Sequence, residues 1–319
     1  MELYLSDDLF DEMILNVSAI KNIPEDAVRR DYLIVNILKN LSESSYCEKC
    51  VFKGGTSLSK CYPNSIERFS EDIDITYLDT ENSDKQIEKN IKKIEQTMIK
   101  TYNNKPINSE RSQRSKSIFI WDDDETQKVK LEIGSTVRPD PYKKMEVKSY
   151  IQAYIESLDE RTLEYLKNRT EGKKYEFVAI QVNVLDITRT FLDKVMAVKR
   201  HAIAGNLVNK VRHIYDVVRL YSMSEIQDFL ANKEEFKQLV KLTKSTDLFY
   251  LEKRSLSLEY DPQGSYNFSG WRELFDTNAI KSMYETLHET LLYTTEKQDF
   301  VRAITTFTEI SCYFDEIEE

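Results

Sequence analysis

The stretch VFKGGTSLSKCYPNSIERFSEDIDITYLD, residues 51–79, decides which fold this chain is expected to adopt. Apolar residues and a lysine lead into GGTS at residues 54–57, and a short helical pattern follows. Asp72 and Asp74 then alternate with isoleucines in a strand pattern. Side chains two residues apart in a strand share one face, so both carboxylates are expected on one side of a sheet and the isoleucines in its core.

These two features together indicate nucleotide chemistry. Two neighbouring carboxylates repel each other unless a cation lies between them, and Mg²⁺ takes oxygen ligands together with substrate phosphates. A glycine-rich helix start offers backbone N–H groups to a polyphosphate. A lone Gly-Gly-Thr is usually only a turn, and a lone Asp-x-Asp is usually a solvated strand edge. Their order and close spacing favour a single cleft lined by both.

The same residues carry a family resemblance. GGTSLSK followed by RFSEDIDI resembles the nucleotidyltransferase signature of the DNA polymerase β superfamily. Within it, the chain is most similar to the AbiEii/AbiGii-type toxin nucleotidyltransferases, which include the MenT-like toxins. The resemblance extends from about residue 30 to 220 through four further stretches: RDY at 30–32, KLEI at 130–133, FLDKVMA at 191–197 and RHIYDV at 212–217.

Two positions depart from the family pattern. Glu132 stands where the family more often has Asp, and its additional methylene changes its reach to a metal ion. Thr56 and Ser57 follow the glycines where polymerase β-like enzymes often have Gly-Ser. Both substitutions keep a carboxylate and a hydroxyl group at these positions.

The resemblance implies an α+β fold with two domains. Residues 1–185 would form a polymerase β-like nucleotidyltransferase domain, a mixed sheet flanked by helices, and residues 186–319 a C-terminal helical bundle. Helical patterns run almost without interruption from Asp186 onward. Residues 134–148, with two prolines, look irregular. Single helices are expected over 151–166, 224–245 and 270–293.

The resemblance also implies the metal and catalytic residues. Asp72 and Asp74 would bind Mg²⁺, and Glu132 would lie beside the ion that activates the attacking hydroxyl. Glu132 has an alternative, because it could pair with Lys130 on the same strand face or with a charge on the neighbouring strand.

Two further catalytic residues follow on successive helices. Lys194 would contact the phosphates, and Asp216 would hydrogen-bond the nucleotide or hold Lys194 in place. The helices are separated by Gly205-Asn206, so a helical hairpin would bring the two side chains together. The alternatives are a solvated surface lysine and an Asp216–Arg212 pair at i, i+4 spacing.

The expected nucleotide-binding residues lie on the glycine turn and around it. Backbone N–H groups and a hydroxyl would hold the triphosphate. These residues are Gly54, Gly55, Thr56 and Ser57, with Lys60, Arg68 and Ser70 flanking the cleft.

Composition sets the broad class of protein. The chain has 319 residues, 40% hydrophobic and 31% charged, which describes a globular protein of about two domains. It has no apolar run of about 18 residues, so no membrane segment is expected, and the N-terminus lacks a signal-peptide pattern. Cys47 and Cys50 have half-zinc spacing without a second pair, which favours reduced thiols in the cytoplasm.

The charge distribution bears on whether the chain binds nucleic acid. A net charge of −10 argues against a protein that coats nucleic acid generally. Residues 189–219, however, contain seven basic and two acidic side chains, which could face a polyphosphate or an RNA end. Without the motifs, an ordinary solvated helix face would be the simpler interpretation.

The expected function comes from the resemblance. It implies a toxin of a toxin–antitoxin pair that transfers a nucleotide from an NTP to the 3′ end of tRNA, with an antitoxin protein as partner. Transfer to a protein or a small molecule is one alternative. A catalytically silent nucleotide-binding module is another, although three crowded carboxylates argue against it.

Overall fold

The computed structural model describes residues 3–79, 82–136, 138–168, 174–254 and 259–318. The chain forms two compact units, each drawn from several segments. The first unit takes its described residues from 1–61, 69–135 and 142–184. The second takes them from 62–68, 136–141 and 185–319.

The strands of the described chain are β1 (Leu3–Leu5), β2 (Cys50–Lys53), β3 (Asp72–Tyr77), β4 (Asn103–Pro106), β5 (Ser115–Trp121), β6 (Val129–Gly134), β7 (Tyr142–Val147), β8 (Tyr175–Phe177) and β9 (Ile180–Leu185). The α-helices are α1 (Asp7–Lys21), α2 (Glu25–Ser42), α3 (Gly54–Cys61), α4 (Asp84–Ile99), α5 (Tyr150–Glu156), α6 (Glu160–Asn168), α7 (Ile187–Ile203), α8 (Arg212–Tyr221), α9 (Ser224–Ala231), α10 (Lys233–Arg254), α11 (Arg272–Phe275), α12 (Asn278–Glu285) and α13 (Phe300–Glu318).

The first unit is built on a seven-stranded mixed sheet with the order β4-β5-β6-β3-β2-β9-β7. The acid-bearing strand β3 lies near its centre, parallel to β6 and antiparallel to β2. Strand β2 also pairs in parallel with β9, while β1 and β8 form a separate antiparallel pair. The expected mixed sheet, flanked by helices and followed by a helical unit, is confirmed.

One face of this sheet is apolar and covered by helix α4. Ile73 and Ile75 of β3 are almost completely buried, as are the residues paired with them on β6. Lys116, which shares this face on β5, has its Nζ 3.2 Å from Glu88 Oε1 of α4. Because side chains alternate along a strand, Asp72 and Asp74 lie on the opposite face.

The second unit is helical, with an aromatic core. Phe268 packs edge-on against Trp271 and Phe275, with ring centroids 4.8 and 5.3 Å away. Phe307 of α13 contacts the same cluster. The short segment 62–68 joins this unit through an isolated bridge to Leu292.

Four sequence-based expectations need correction. The stretch 134–148 is not irregular, because it contains β7, which lies at the edge of the sheet beside β9. The three long helices expected over 151–166, 224–245 and 270–293 are each divided. Side-chain caps divide them: Asp159 accepts from the Thr162 amide, Asn232 from the Glu235 amide and Thr277 from the Ile280 amide.

Two further predictions concern membranes and cysteines. No helix in the described part of the chain is long and apolar enough to cross a membrane. Cys47, Cys50, Cys61 and Cys312 are free thiols, and the first three are buried. Burial raises the pKa of Cys50 to about 12, so this thiol stays protonated at neutral pH and is a poor metal ligand.

Candidate functional site

The glycine turn contacts the acid-bearing strand directly. Helix α3 begins at Gly54, immediately after β2, with a φ of +85° that L side chains rarely adopt. A Cβ atom at this position would lie only 2.1 Å from Asp74 Oδ2. Glycine is therefore required twice here, once for the backbone conformation and once for the close approach of the Asp74 carboxylate.

The hydroxyls of the turn bind within the protein. Thr56 Oγ1 donates to the Asp72 carbonyl oxygen at 2.6 Å and lies 3.0 Å from Ser70 Oγ. Ser57 Oγ donates to the Gly54 carbonyl oxygen at 2.9 Å, and both hydroxyl residues are buried. These bonds fix the turn against β3, and they leave the backbone N–H groups of the first helical turn as the donors that an anion could meet there.

The third predicted carboxylate lies beside the other two. Asp74 and Glu132 are register partners on parallel strands, as are Asp72 and Lys130, so all four side chains emerge on one face. Lys130 Nζ lies 2.5 Å from Glu132 Oε1 and 2.7 Å from Glu110 Oε2. Glu132 therefore makes the Lys130 ion pair that the sequence left open as its alternative.

The pKa of Lys130 is consistent with its pairing with Glu110 and Glu132. Burial alone would lower the pKa of Lys130, but the hydrogen bonds and charges of Glu110 and Glu132 outweigh it and raise that pKa. Lys130 is therefore an ammonium at neutral pH and partly neutralises the acidic face of the sheet.

The donor set of this face fits Mg²⁺ in its chemistry. Asp72, Asp74 and Glu132 supply only carboxylate oxygens, which are the ligands a hard cation prefers. The missing Cβ of Gly54 lets the Asp74 carboxylate approach the glycine turn closely. In the part of the chain that the structure describes, no three His, Cys, Asp or Glu side chains converge closely enough to hold a metal ion. Asp72 and Asp74 thus share one strand face, and the carboxylate of Glu132 is paired with Lys130.

Lys60, predicted to flank the nucleotide, lies in a different environment. Its ammonium forms a buried ion pair with Asp31 and lies 3.8 Å from the centre of the Tyr150 ring. The Tyr150 backbone N–H donates to Asp31 Oδ2 at 2.7 Å. Burial raises the pKa of Asp31 and lowers that of Lys60 despite their mutual attraction. This pair belongs to the interior of the first unit.

The second unit contains a buried charge cluster. Asp216 Oδ1 accepts from Arg68 Nε at 2.6 Å, and Oδ2 accepts from Arg68 Nη2 at 2.7 Å and from Lys194 Nζ at 2.6 Å. Arg68, Lys194 and Asp216 are all buried. The predicted hairpin does bring Lys194 and Asp216 together, and the alternative of a solvated surface lysine is wrong.

The three charges influence one another's protonation. Burial alone would raise the pKa of Asp216, but the charges of Arg68 and Lys194 and their hydrogen bonds hold it well below its usual range. Burial lowers the pKa of Lys194, and the neighbouring Arg68 charge adds to this against the attraction of Asp216. Lys194 is therefore the more easily deprotonated of the two cations.

Arg68, a member of this cluster, and the nearby His213 were not evident from sequence. Arg68 was expected only to flank the cleft, and its bidentate contact with Asp216 spans 148 residues of sequence, so no local pattern could reveal it. His213 was set aside as a scattered histidine. Burial and the Lys194 charge lower its pKa far below the usual value, and its Nδ1 is buried without a partner among the described residues.

The chain matches the model of a known protein family. The family model for the nucleotidyl transferase AbiEii toxin, of type IV toxin–antitoxin systems, matches residues 36–306, most of the chain. The chain belongs to the AbiEii nucleotidyltransferase family. As an AbiEii protein it is a nucleotidyltransferase toxin of a toxin–antitoxin system, which implies a nucleotide substrate and an antitoxin partner.

Solved structures provide two relatives of this AbiEii protein. MenT4, a nucleotidyltransferase toxin from Mycobacterium tuberculosis H37Rv, shares 17% identity at a TM-score of 0.48, covering 72% of this chain and 70% of that chain. JHP933 from Helicobacter pylori shares 14% identity at a TM-score of 0.43, covering 92% of this chain and 94% of that chain. No curated protein sequence matches the chain.

The contact between Gly54 and Asp74 gives a direct prediction. Gly54→Ala should lower nucleotidyl transfer by about a hundredfold or more, because the new methyl group must displace the Asp74 carboxylate. Gly205→Ala is the matched control, since Gly205 also has a positive φ, +68°, but no atom lies within 4 Å of its Cβ position. Both variants carry a backbone cost of about 1–2 kcal/mol, so only the loss of turnover separates them. Equal turnover would contradict the importance of this contact.

The environment of Lys60 gives a second prediction. Lys60→Met should destabilise this AbiEii protein by about 3–5 kcal/mol, measured by urea unfolding, because Asp31 loses its buried cation. The double variant Asp31→Asn/Lys60→Met keeps an acceptor for the Tyr150 amide and should recover most of that stability. Its NTP affinity should match that of the exposed-lysine control Lys281→Met. A selective loss of NTP affinity in the double variant would show instead that Lys60 contacts the nucleotide.

Proposed function

We propose that this AbiEii enzyme transfers a nucleoside monophosphate from an NTP to the 3′ end of an RNA, with tRNA as the acceptor suggested by family resemblance. The reaction would use Mg²⁺ and take place in the cytoplasm, where an antitoxin protein counteracts it. The observation that carries the proposal is the contact of Gly54 with Asp74, which joins a phosphate-binding helix start to a carboxylate strand within one unit. We assign the transfer chemistry to residues 1–185 and a supporting helical domain to residues 186–319.

The glycine turn would bind the triphosphate through its backbone. The first N–H groups of a helix have no acceptor within the helix, and the helix dipole favours an anion at this end. Because Thr56 and Ser57 are bonded to Asp72 and Gly54, these donors are held in a fixed position relative to the carboxylates. A rigid arrangement avoids an ordering cost when the nucleotide binds.

The carboxylates would hold the metal and orient the reacting groups. Asp72 and Asp74 would be the ligands, and Glu132 would join them when its carboxylate leaves Lys130. When bound, Mg²⁺ supplies charge neutralisation at the attacking and departing oxygens. The shared strand face sets the spacing of the carboxylates, and the apolar isoleucines behind them keep the strand in place.

Lys194 would contribute a phosphate contact, as the family resemblance implies. It has three N–H donors, and Asp216 is the one acceptor it has among the described residues. Asp216 would act by holding Lys194, which was one of its two expected roles. An ammonium so held can donate to phosphate oxygens without losing further side-chain entropy.

The acceptor is proposed from charge as well as resemblance. Arg189, Lys194 and Lys199 of the basic stretch 189–219 are buried, so they do not form an exposed RNA surface. A cleft of about 450 Å³ on the first unit offers an alternative cationic surface. It is lined by Ser83, Lys85, Gln86, Glu88, Lys89 and Lys92. Lysines of this kind suit a phosphate backbone and carry no base preference.

The decisive experiment incubates the purified protein with total RNA, Mg²⁺ and each α-labelled NTP in turn. The proposal predicts label in RNA of tRNA size. Asp72→Asn and Asp74→Asn should each reduce labelling by about a thousandfold or more, because each removes a metal ligand worth several kcal/mol in the transition state. Asp122→Asn, an exposed acid outside the site, should label like wild type.

The same variants separate the alternatives. Label in protein or in a small molecule would overturn the RNA acceptor, and near wild-type labelling by Asp74→Asn would overturn the metal assignment. Melting temperatures of both variants should be unchanged or higher, since carboxylate repulsion is relieved. Induced in a bacterium lacking the antitoxin, wild type should stop growth and Asp74→Asn should not.

Lys194 has its own prediction. Lys194→Ala should weaken NTP binding by about 1.5–3 kcal/mol, roughly ten- to over a hundredfold, through loss of a charge-assisted contact. Arg68 still pairs with Asp216 in this variant, so no buried carboxylate is left alone. Lys194→Arg should rescue poorly, because a planar fork replaces a compact ammonium. The NTP affinity is measured by calorimetry, with Lys281→Ala as the control at an exposed lysine. If Lys194→Ala binds NTP like wild type, Lys194 is not part of the nucleotide site.

A further inference from the structure

We infer that Arg68 is a positioning residue for nucleotide binding: by pairing with Asp216, it keeps the Lys194 ammonium available to a phosphate. The inference rests on the proposed phosphate contact of Lys194 and extends it to Arg68, the first residue of the RFSEDIDI stretch. The geometry that carries it is the sharing of one buried carboxylate by two buried cations.

Arg68 is the dominant partner of Asp216. Its guanidinium meets both carboxylate oxygens, with Nε 2.6 Å from Oδ1 and Nη2 2.7 Å from Oδ2. The arginine is 2% exposed and the aspartate 0%. Bidentate pairs of this kind combine strong hydrogen bonds with a fixed orientation. The position of the Asp216 carboxylate is therefore set by Arg68, whether or not Lys194 is present.

Lys194 donates to a carboxylate oxygen of Asp216 that already accepts a hydrogen bond from Arg68. Its Nζ lies 2.6 Å from the same Oδ2 that accepts from Arg68 Nη2. Two cations and one carboxylate leave the cluster with one net positive charge in a buried place. Because Asp216 balances only one of these two positive charges, an anion near Lys194 gains more from this cluster than from a buried pair of one cation and one carboxylate.

Removing Arg68 would change the role of Lys194. Asp216 and Lys194 would then form a closed pair of zero net charge, and the ammonium would have less attraction for a phosphate. Arg68 thus acts on the nucleotide through Asp216 and Lys194, without a contact of its own. A purely structural arginine would instead change stability and leave the phosphate affinity of folded protein unaltered.

The sequence position of Arg68 gives this role a further consequence. Residues 62–68 connect the glycine-turn helix α3 to the acid-bearing strand β3, yet they belong to the second unit. The Tyr293 backbone N–H donates to the Glu67 carbonyl oxygen at 3.0 Å, and Arg219 pairs with Glu67 at 2.8 Å. The connection between the two motifs is therefore anchored at Arg68 and at Glu67, and these two anchors can be tested separately.

The test measures binding of inorganic triphosphate and of a non-hydrolysable NTP by calorimetry. Arg68→Gln should weaken both by about tenfold, whereas Arg68→Lys, which keeps the charge, should weaken them by about threefold or less. Arg219→Gln is the matched control, because it removes the other anchor of the same segment without touching Asp216. It should bind triphosphate like wild type.

The double variant Arg68→Gln/Asp216→Asn tests whether the loss of triphosphate affinity in Arg68→Gln is caused by the Asp216 charge. A neutral amide pair can hydrogen-bond in place of the ion pair, so this variant also serves if Arg68→Gln alone fails to fold. Lys194 is then the one charge left of the three, and triphosphate affinity should return to within about threefold of wild type. A merely structural Arg68 predicts wild-type triphosphate affinity for each of these variants that folds, and therefore no loss in Arg68→Gln to recover from.

Three results would overturn the inference, and they can be told apart. If Lys194→Ala weakens triphosphate binding while folded Arg68→Gln binds like wild type, the positioning role is wrong and the proposed phosphate contact stands. If Lys194→Ala binds triphosphate like wild type, the proposed contact fails, and the role of Arg68 fails with it. Equal losses in Arg68→Gln and in the double variant would also overturn the positioning role.

Discussion

The arrangement of the first unit depends on the close contact between Gly54 and Asp74. A helix that starts directly after a strand can bring its N-terminus against the neighbouring strand only if the first residue accepts a positive φ and carries no Cβ. With any other residue, either the helix start or the Asp74 carboxylate would have to move. This single constraint brings the backbone N–H groups of the helix start beside the Asp74 carboxylate. Thr56 and Ser57 stabilise the same contact, because their hydroxyls bond to the Asp72 and Gly54 carbonyl oxygens.

The sequence predicted how the glycine turn and the acid-bearing strand of the first unit are built, because their determinants are local. Alternation along β3 gives the face of Asp72 and Asp74, and the glycines before α3 give the turn, so both follow from neighbouring residues. The fold class followed from the family resemblance that these motifs carry, together with the helical patterns late in the chain. The apolar face of the sheet was also predictable, since Ile73 and Ile75 alternate with the acids.

What sequence could not give depends on contacts between distant residues. Strand β7 is mostly exposed and polar, and pairing at a sheet edge determines its conformation more than its own pattern does. Lys60 looked like a nucleotide-binding residue because of its place after the glycines, but Asp31, far away in sequence, takes its ammonium into the core. Arg68 likewise stands beside the acid motif in sequence while its partner Asp216 lies in the helical unit.

The two units hold their charges by different means, and this difference bears on function. On the sheet, Lys130 is partly exposed and pairs with Glu110 and Glu132, so water screens the pairs and the carboxylates can change partners at small cost. In the helical unit, Arg68, Lys194 and Asp216 are buried, and any change of partner would expose a desolvated charge. The first arrangement suits groups that must accept and release a metal and a product in each cycle. The second suits a cation that must keep one position throughout, which is what a phosphate-orienting lysine requires.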